Sequence, residues 1–163
     1  MDTELCRAHL EQLMQAESQT LKQLSALLQA EHQFITQDDL ESLDNAGRER
    51  EACVQQLMRI DAERQALCRT TGYSSDKDGL LALLTWCDAR GTLIQHWQQS
   101  LDAIRHCRDL NDRNGALVNN RMKRVEVMLD SINGNQGRDS RTYTARGNAY
   151  AQSNAGRVCS IQA

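Results

Sequence analysis

The sequence predicts an all-α chain. It reads as a long antiparallel helical hairpin, a short connector helix and a long third helix, a three-helix bundle of coiled-coil character, with a disordered C-terminal tail. Three observations predict this. None of the 163 residues is proline, where average usage of roughly 5 % would place about eight. Proline lacks an N–H and clashes with the preceding helical turn, so a helical chain has the most reason to exclude it. Aromatic residues make up only 4 %, with Phe34 the sole phenylalanine, which is sparse for a β-sandwich or barrel. Large apolar residues recur at steps of three and four over long stretches, the period of one helix face.

The first helix is expected from Glu4 to Phe34, with Asp2 or Thr3 as its N-cap. Leu10, Met14, Leu21, Leu24, Leu28 and Ile35 follow a four-then-three spacing, and Glu17 and Glu31 fill its two gaps. Such a stripe packs along its whole length. Thr36-Gln37-Asp38-Asp39 reads as a tight corner, with Thr36 a candidate N-cap for the next helix. The second helix runs to about Arg69, with Leu43, Ala46, Cys53, Leu57, Ile60 and Leu67 on its seam. Arg50 and Arg64 occupy the seam's remaining places, their stems expected along apolar surface and their heads in water. A short corner after a long helix makes an antiparallel hairpin.

Thr70 to Gly79 is a loop by composition, and Leu80 to Cys87 a short helix. The third long helix carries Ile94, Trp97, Leu101, Ile104, Arg108, Asn111, Gly115, Val118, Met122, Val125, Leu129 and Ile132 at alternating steps of three and four. At about 40 residues it would span roughly 60 Å and outrun the hairpin. Arg108, Asn111 and Gly115 interrupt an otherwise apolar series. A glycine there costs about 1 kcal/mol relative to alanine. Asn111, Asn114 and Gly115 are therefore read either as a point of close helix approach or as a hinge. The domain boundary falls after Ile132: residues 1–132 form the helical bundle domain and 133–163 a flexible tail.

Charge and motifs exclude several classes. The formal net charge is −3, split into about −6 for the body and +3 for the tail. An acidic body argues against a nucleic-acid partner. No apolar run approaches the ~18 residues that span a membrane, and no secretory signal opens the chain, so a cytoplasmic location is expected. None of the six cysteines forms a C-x-x-C pair, so reduced, buried thiols are expected. The four histidines show no metal-binding spacing, and no phosphate-binding loop or nucleophile elbow occurs. The expectation is a protein that is not an enzyme, with no catalytic residue, metal or cofactor.

Three features carry the functional reading: Asn111-Asp112-Arg113-Asn114-Gly115-Ala116-Leu117 in mid-helix, the apolar helix end from Val118 to Ile132, and Tyr143 with Gly147 in the tail. Their order and spacing resemble the FlgN family of flagellar export chaperones over about residues 5–147. The match rests mainly on Asn111-x-x-Asn114-Gly115-x-Leu117; the acidic-Gly-Arg ending usual after the tail tyrosine is absent. The resemblance implies a binding protein without catalysis. Its clients would be hook-filament junction proteins, held by their C-terminal helical segments until delivery to the cytoplasmic domain of the export gate. Val118, Met122, Val125, Leu129 and Ile132 would bind the client, in a groove suited to an amphipathic helix. Tyr143 would dock on the gate, and the chaperone would be a monomer in a 1:1 client complex. The alternative is a coiled-coil adaptor that self-associates through its seams.

Overall fold

The structure, a computed structural model, describes residues 2–134. Those residues are all-α, with no strand: α1 (Thr3–Gln37), α2 (Leu40–Thr71), α3 (Lys77–Cys87) and α4 (Thr92–Gly134). The expected hairpin, connector and long helix are all present. Beyond the two residues that complete α4, the expected tail 133–163 lies outside the described residues.

Each helix boundary has a local cause. The Asp2 carboxylate accepts from the Glu4 N–H at 3.4 Å and caps α1. The corner is only Asp38-Asp39. Asp38 ends α1 in the left-handed region at φ 60°, and Asp39 caps α2 by accepting from the Ser42 N–H at 3.1 Å. Thr36 is thus not the cap expected of it: it lies inside α1, and its hydroxyl donates to the His32 carbonyl at 2.7 Å. At the end of α2, Gly72 adopts φ 84°, its N–H reaches Arg69 and the following Tyr73 N–H reaches Cys68. This two-bond closure needs a residue at ease with positive φ. The connector helix begins three residues before the expected Leu80, because Asp76 caps it through the Gly79 N–H at 2.8 Å. Gly79 is required there for space, since a Cβ would meet the Ser74 carbonyl oxygen at 2.1 Å.

The apolar residues of these helices collect into two clusters. The first joins Cys6, Leu10 and Met14 of α1, Leu67 and Cys68 of α2, Leu80, Leu83, Leu84 and Cys87 of α3, and Leu93 and Trp97 of α4. The second joins Leu21, Leu24 and Leu28 of α1 with Cys53 of α2 and Cys107 and Leu110 of α4. The α1–α2 seam also buries charge. Arg64 Nη1 contacts Glu17 at 3.0 Å, and Arg50 Nε contacts Glu31 at 2.7 Å. The arginine heads thus turn inward to the two seam glutamates rather than outward to water. Arg64 also holds Asp61 at 2.7 Å.

Residues through Arg121 form one compact unit, and a second begins at Met122, of which residues up to Gly134 are described. Within the first unit, α4 buries Leu93, Trp97, Ser100, Cys107, Leu110 and Asn114. The seam line is therefore one residue earlier than expected. Ser100, Cys107 and Asn114 occupy it in place of Leu101, Arg108 and Gly115. The three interruptions of the apolar series, Arg108, Asn111 and Gly115, each stand one residue beyond a buried position (Cys107, Leu110 and Asn114), so none had to be a large apolar residue.

Candidate functional site

On α4, Leu93, Ser100, Cys107, Asn114 and Arg121 stand at intervals of seven residues. A residue seven places on returns to nearly the same helix face. The last three each reach a backbone carbonyl of α1. The Cys107 thiol donates to Leu21 O at 3.7 Å, Asn114 Nδ2 to Leu28 O at 2.7 Å, and Arg121 Nη2 to Thr36 O at 3.1 Å. The acceptors climb α1 in the same direction as the donors climb α4, so the two helices run parallel in this unit. We call these three contacts rungs.

The middle rung is a closed polar seat. Asn114 is 5 % exposed. With its amide nitrogen on Leu28 O, its Oδ1 faces His32 Nδ1 at 3.1 Å, so His32 donates from Nδ1. Asn111 and Leu117 are half-buried beside it. Gly115 is exposed, and an added Cβ would meet nothing within 4 Å. The close approach considered for Gly115 belongs to Asn114 instead, and α4 remains helical through this point. The upper rung ends α1: Arg121 pairs with Asp38 as well as Thr36 O. The last turn of α1 has no cation of its own, so α4 supplies the positive charge that a helix C-terminus favours. Both His32 and Arg121 escaped the sequence reading, since their partners are more than 80 residues away in sequence.

The expected binding residues are open. Val118 is 38 % exposed, and Met122, Val125, Leu129 and Ile132 are between 52 and 65 % exposed. Met128 is exposed on the same side by helical periodicity, and Val127 is exposed on the opposite side. Trp97, Ile104, Asn111, Val118, Val125 and Ile132 share one seven-residue series, of which Trp97 alone is buried and Val118, Val125 and Ile132 are exposed. Helical periodicity sets Arg121 and Arg124 along one edge of the stripe and Glu126 and Asp130 along the other. Such a surface can take up an amphipathic helix by burial of apolar area, with charged edges to orient it. Tyr143 lies outside the described residues.

The remaining titratable groups support packing more than chemistry. Cys6, Cys53, Cys68, Cys87 and Cys107 are free and buried, as the sequence led one to expect for these five. Burial pushes the thiols of Cys53, Cys68 and Cys107 up. Burial, with a hydrogen bond to Cys6, pushes Cys87 up to about 12. These four groups stay protonated at neutral pH, whereas the reactive form of cysteine is the thiolate. Among the described residues no group of three His, Cys, Asp or Glu side chains is placed to hold a metal ion. No helix among them is long and apolar enough to cross a membrane.

Two comparisons, with the curated proteins and with the solved structures, return no match. The family model described as "FlgN protein" matches residues 6–151, which includes all four helices except the first turn of α1. The heptad seams, the Asn114 seat and the open helix end all fall inside that match, and the chain belongs to the FlgN family of flagellar export chaperones.

Proposed function

We propose that this chain is a cytoplasmic chaperone that captures the C-terminal helical segments of hook-filament junction proteins on the Val118–Ile132 stripe of α4. It would keep them from assembling early and deliver them to the export gate, with Tyr143 contributing to gate docking and the chaperone a monomer in a 1:1 client complex. One observation carries the reading: a run of large apolar side chains on one helix face of α4 stays open, while the apolar stripe of α1 is buried. An amphipathic client helix supplies the missing half of that seam. Met122 and Met128 add side chains that adapt to more than one client surface. Ordering a flexible client costs several kcal/mol, which keeps the affinity moderate and release possible.

Titration calorimetry with a peptide from the C-terminal segment of a junction protein tests the capture surface. The unaltered chain binds it 1:1. Met122→Asp combined with Leu129→Asp weakens binding by on the order of a hundredfold, since two carboxylates would enter an apolar contact. Both residues are exposed, so helicity by circular dichroism is unchanged. Unaltered affinity refutes the surface. Tyr143→Ala leaves client affinity intact and weakens binding to the gate's cytoplasmic domain; equal gate affinity removes Tyr143 from the mechanism. The same open stripe also favours a second reading, an adaptor that self-associates. Light scattering that finds a stable oligomer indifferent to the peptide supports it.

A further inference from the structure

Gly115 is left without a structural reason. It lies inside α4, where glycine is less favourable than alanine. An added Cβ would meet nothing within 4 Å, and the residue has no positive φ. Packing and backbone conformation would both accept alanine. What glycine changes at this position is chemical, because it follows an asparagine. A residue without a side chain leaves its backbone nitrogen unshielded toward the carbonyl carbon of the preceding asparagine side chain.

We propose that Asn114-Gly115 is a latent deamidation site held shut by the seating of α4 on α1. In the reaction the Gly115 backbone nitrogen attacks Asn114 Cγ and forms a five-membered succinimide. The Cγ–Nδ2 bond breaks, and Nδ2 leaves as ammonia with the proton given up by the Gly115 nitrogen. Solvent water then adds to either ring carbonyl, giving aspartate or isoaspartate. No oxidant or further reactant is needed.

Two restraints prevent this in the folded chain. The helix commits the Gly115 N–H to the carbonyl four residues back. The Asn114 amide is also fixed at both ends, by Leu28 O at 2.7 Å and His32 Nδ1 at 3.1 Å, which holds Cγ in its seat. Solvent exclusion is not the restraint, since Gly115 itself is exposed. Opening of α4 at this level releases both restraints together. The product cannot return to the seat unchanged. A carboxylate oxygen would face the Leu28 carbonyl with no proton between them, leaving two buried acceptors opposed. Isoaspartate adds a backbone methylene, which breaks the helical repeat. Deamidation therefore makes an opening of α4 irreversible and lasting.

Trypsin cleavage after Arg113 and Arg121 isolates residues 114–121, so mass spectrometry reads the site directly. Asn119 and Asn120 lie in the same peptide, followed by asparagine and arginine, and serve as slow internal controls. The full-length chain is incubated at neutral pH, folded and in urea. The expected result is a gain of one dalton at Asn114 at least tenfold faster in urea than in the folded chain. Gly115→Ala suppresses the gain in urea and stays helical when folded. His32→Ala, which frees one end of the amide, speeds the gain in the folded chain with helicity unchanged. Equal rates for folded and urea-treated chain overturn the proposal. So does Gly115→Ala converting in urea as fast as the parent, or His32→Ala matching the parent when folded.

Discussion

The carboxylate of Asp88 ends α3 and starts α4. Its backbone N–H closes α3 on Leu84 O, while its two oxygens accept from the Leu93 N–H at 2.9 Å and the Arg90 N–H at 3.1 Å. Asp88 is 3 % exposed. The Leu93 N–H, with help from Arg90 and Arg7, holds its pKa below the ordinary carboxylate value despite burial. Ser42 does the same for Asp39, and Ser74 and the Gly79 N–H for Asp76. A carboxyl group whose folded pKa is depressed stabilises the fold fully above its unfolded value of about 3.9 and loses that contribution as pH falls through the folded value. Urea midpoints should therefore drop as pH is lowered from 6 to 3, and Asp88→Asn should lower the midpoint at pH 6 and flatten the acid dependence. An unchanged slope in Asp88→Asn would assign the acid sensitivity elsewhere. Each of these caps joins groups two to five residues apart, yet the sequence reading found only Asp2, since an aspartate before a helix is too common to stand out. Thr36 misleads because a hydroxyl in mid-helix bonds back to its own chain instead of capping the next. The His32–Asn114 seat was not legible at all, because only the fold brings its members together.

At the scale of elements, two ion pairs set the register of the hairpin. Glu17 with Arg64 and Glu31 with Arg50 both have residue numbers that add to 81. The same register puts Leu21 level with Ile60, Leu24 with Leu57 and Leu28 with Cys53. The sequence reading found all four charged seam positions but sent the arginines to water, since it had no register to pair them. The Glu17–Arg64 side chains are 5 % and 15 % exposed, and the second Glu17 oxygen is buried without a partner. Removing one member strands the other's charge, so Arg64→Ala should cost about 3–5 kcal/mol in urea denaturation. Replacing both members with leucine should be neutral or stabilising by about 1–4 kcal/mol. If the double replacement is as damaging as Arg64→Ala, the pair is required for register rather than merely tolerated. On α4 the helix itself was plain in sequence, but its buried line was read one residue late. Ser100 and Asn114 do not look like core residues in a hydrophobicity pattern, and Cys107, expected to be buried, was not placed on this line. They are buried because two of them spend their donors on α1 carbonyls.

For the whole molecule, the absence of proline has a structural counterpart: four helices take up nearly all of residues 3–134, with connections of two to five residues. The same heptad pattern serves two ends. It is satisfied within the chain along Leu93–Asn114 and left open along Val118–Ile132. The resemblance to the family was legible because the residues it rested on, Asn111–Leu117, are local in sequence. The separation of a close-packed block from an open helix end was read in the sequence, but only the fold singles out Asn114, rather than Gly115, as the seated residue. Hydrogen–deuterium exchange of the full-length chain, with and without a junction-protein C-terminal peptide, tests the central claim most directly. The account predicts that bound peptide slows exchange at amides 118–132 of α4 and leaves the α1–α2 seam unchanged. Protection confined to other helices, with 118–132 exchanging as in the free chain, would contradict it.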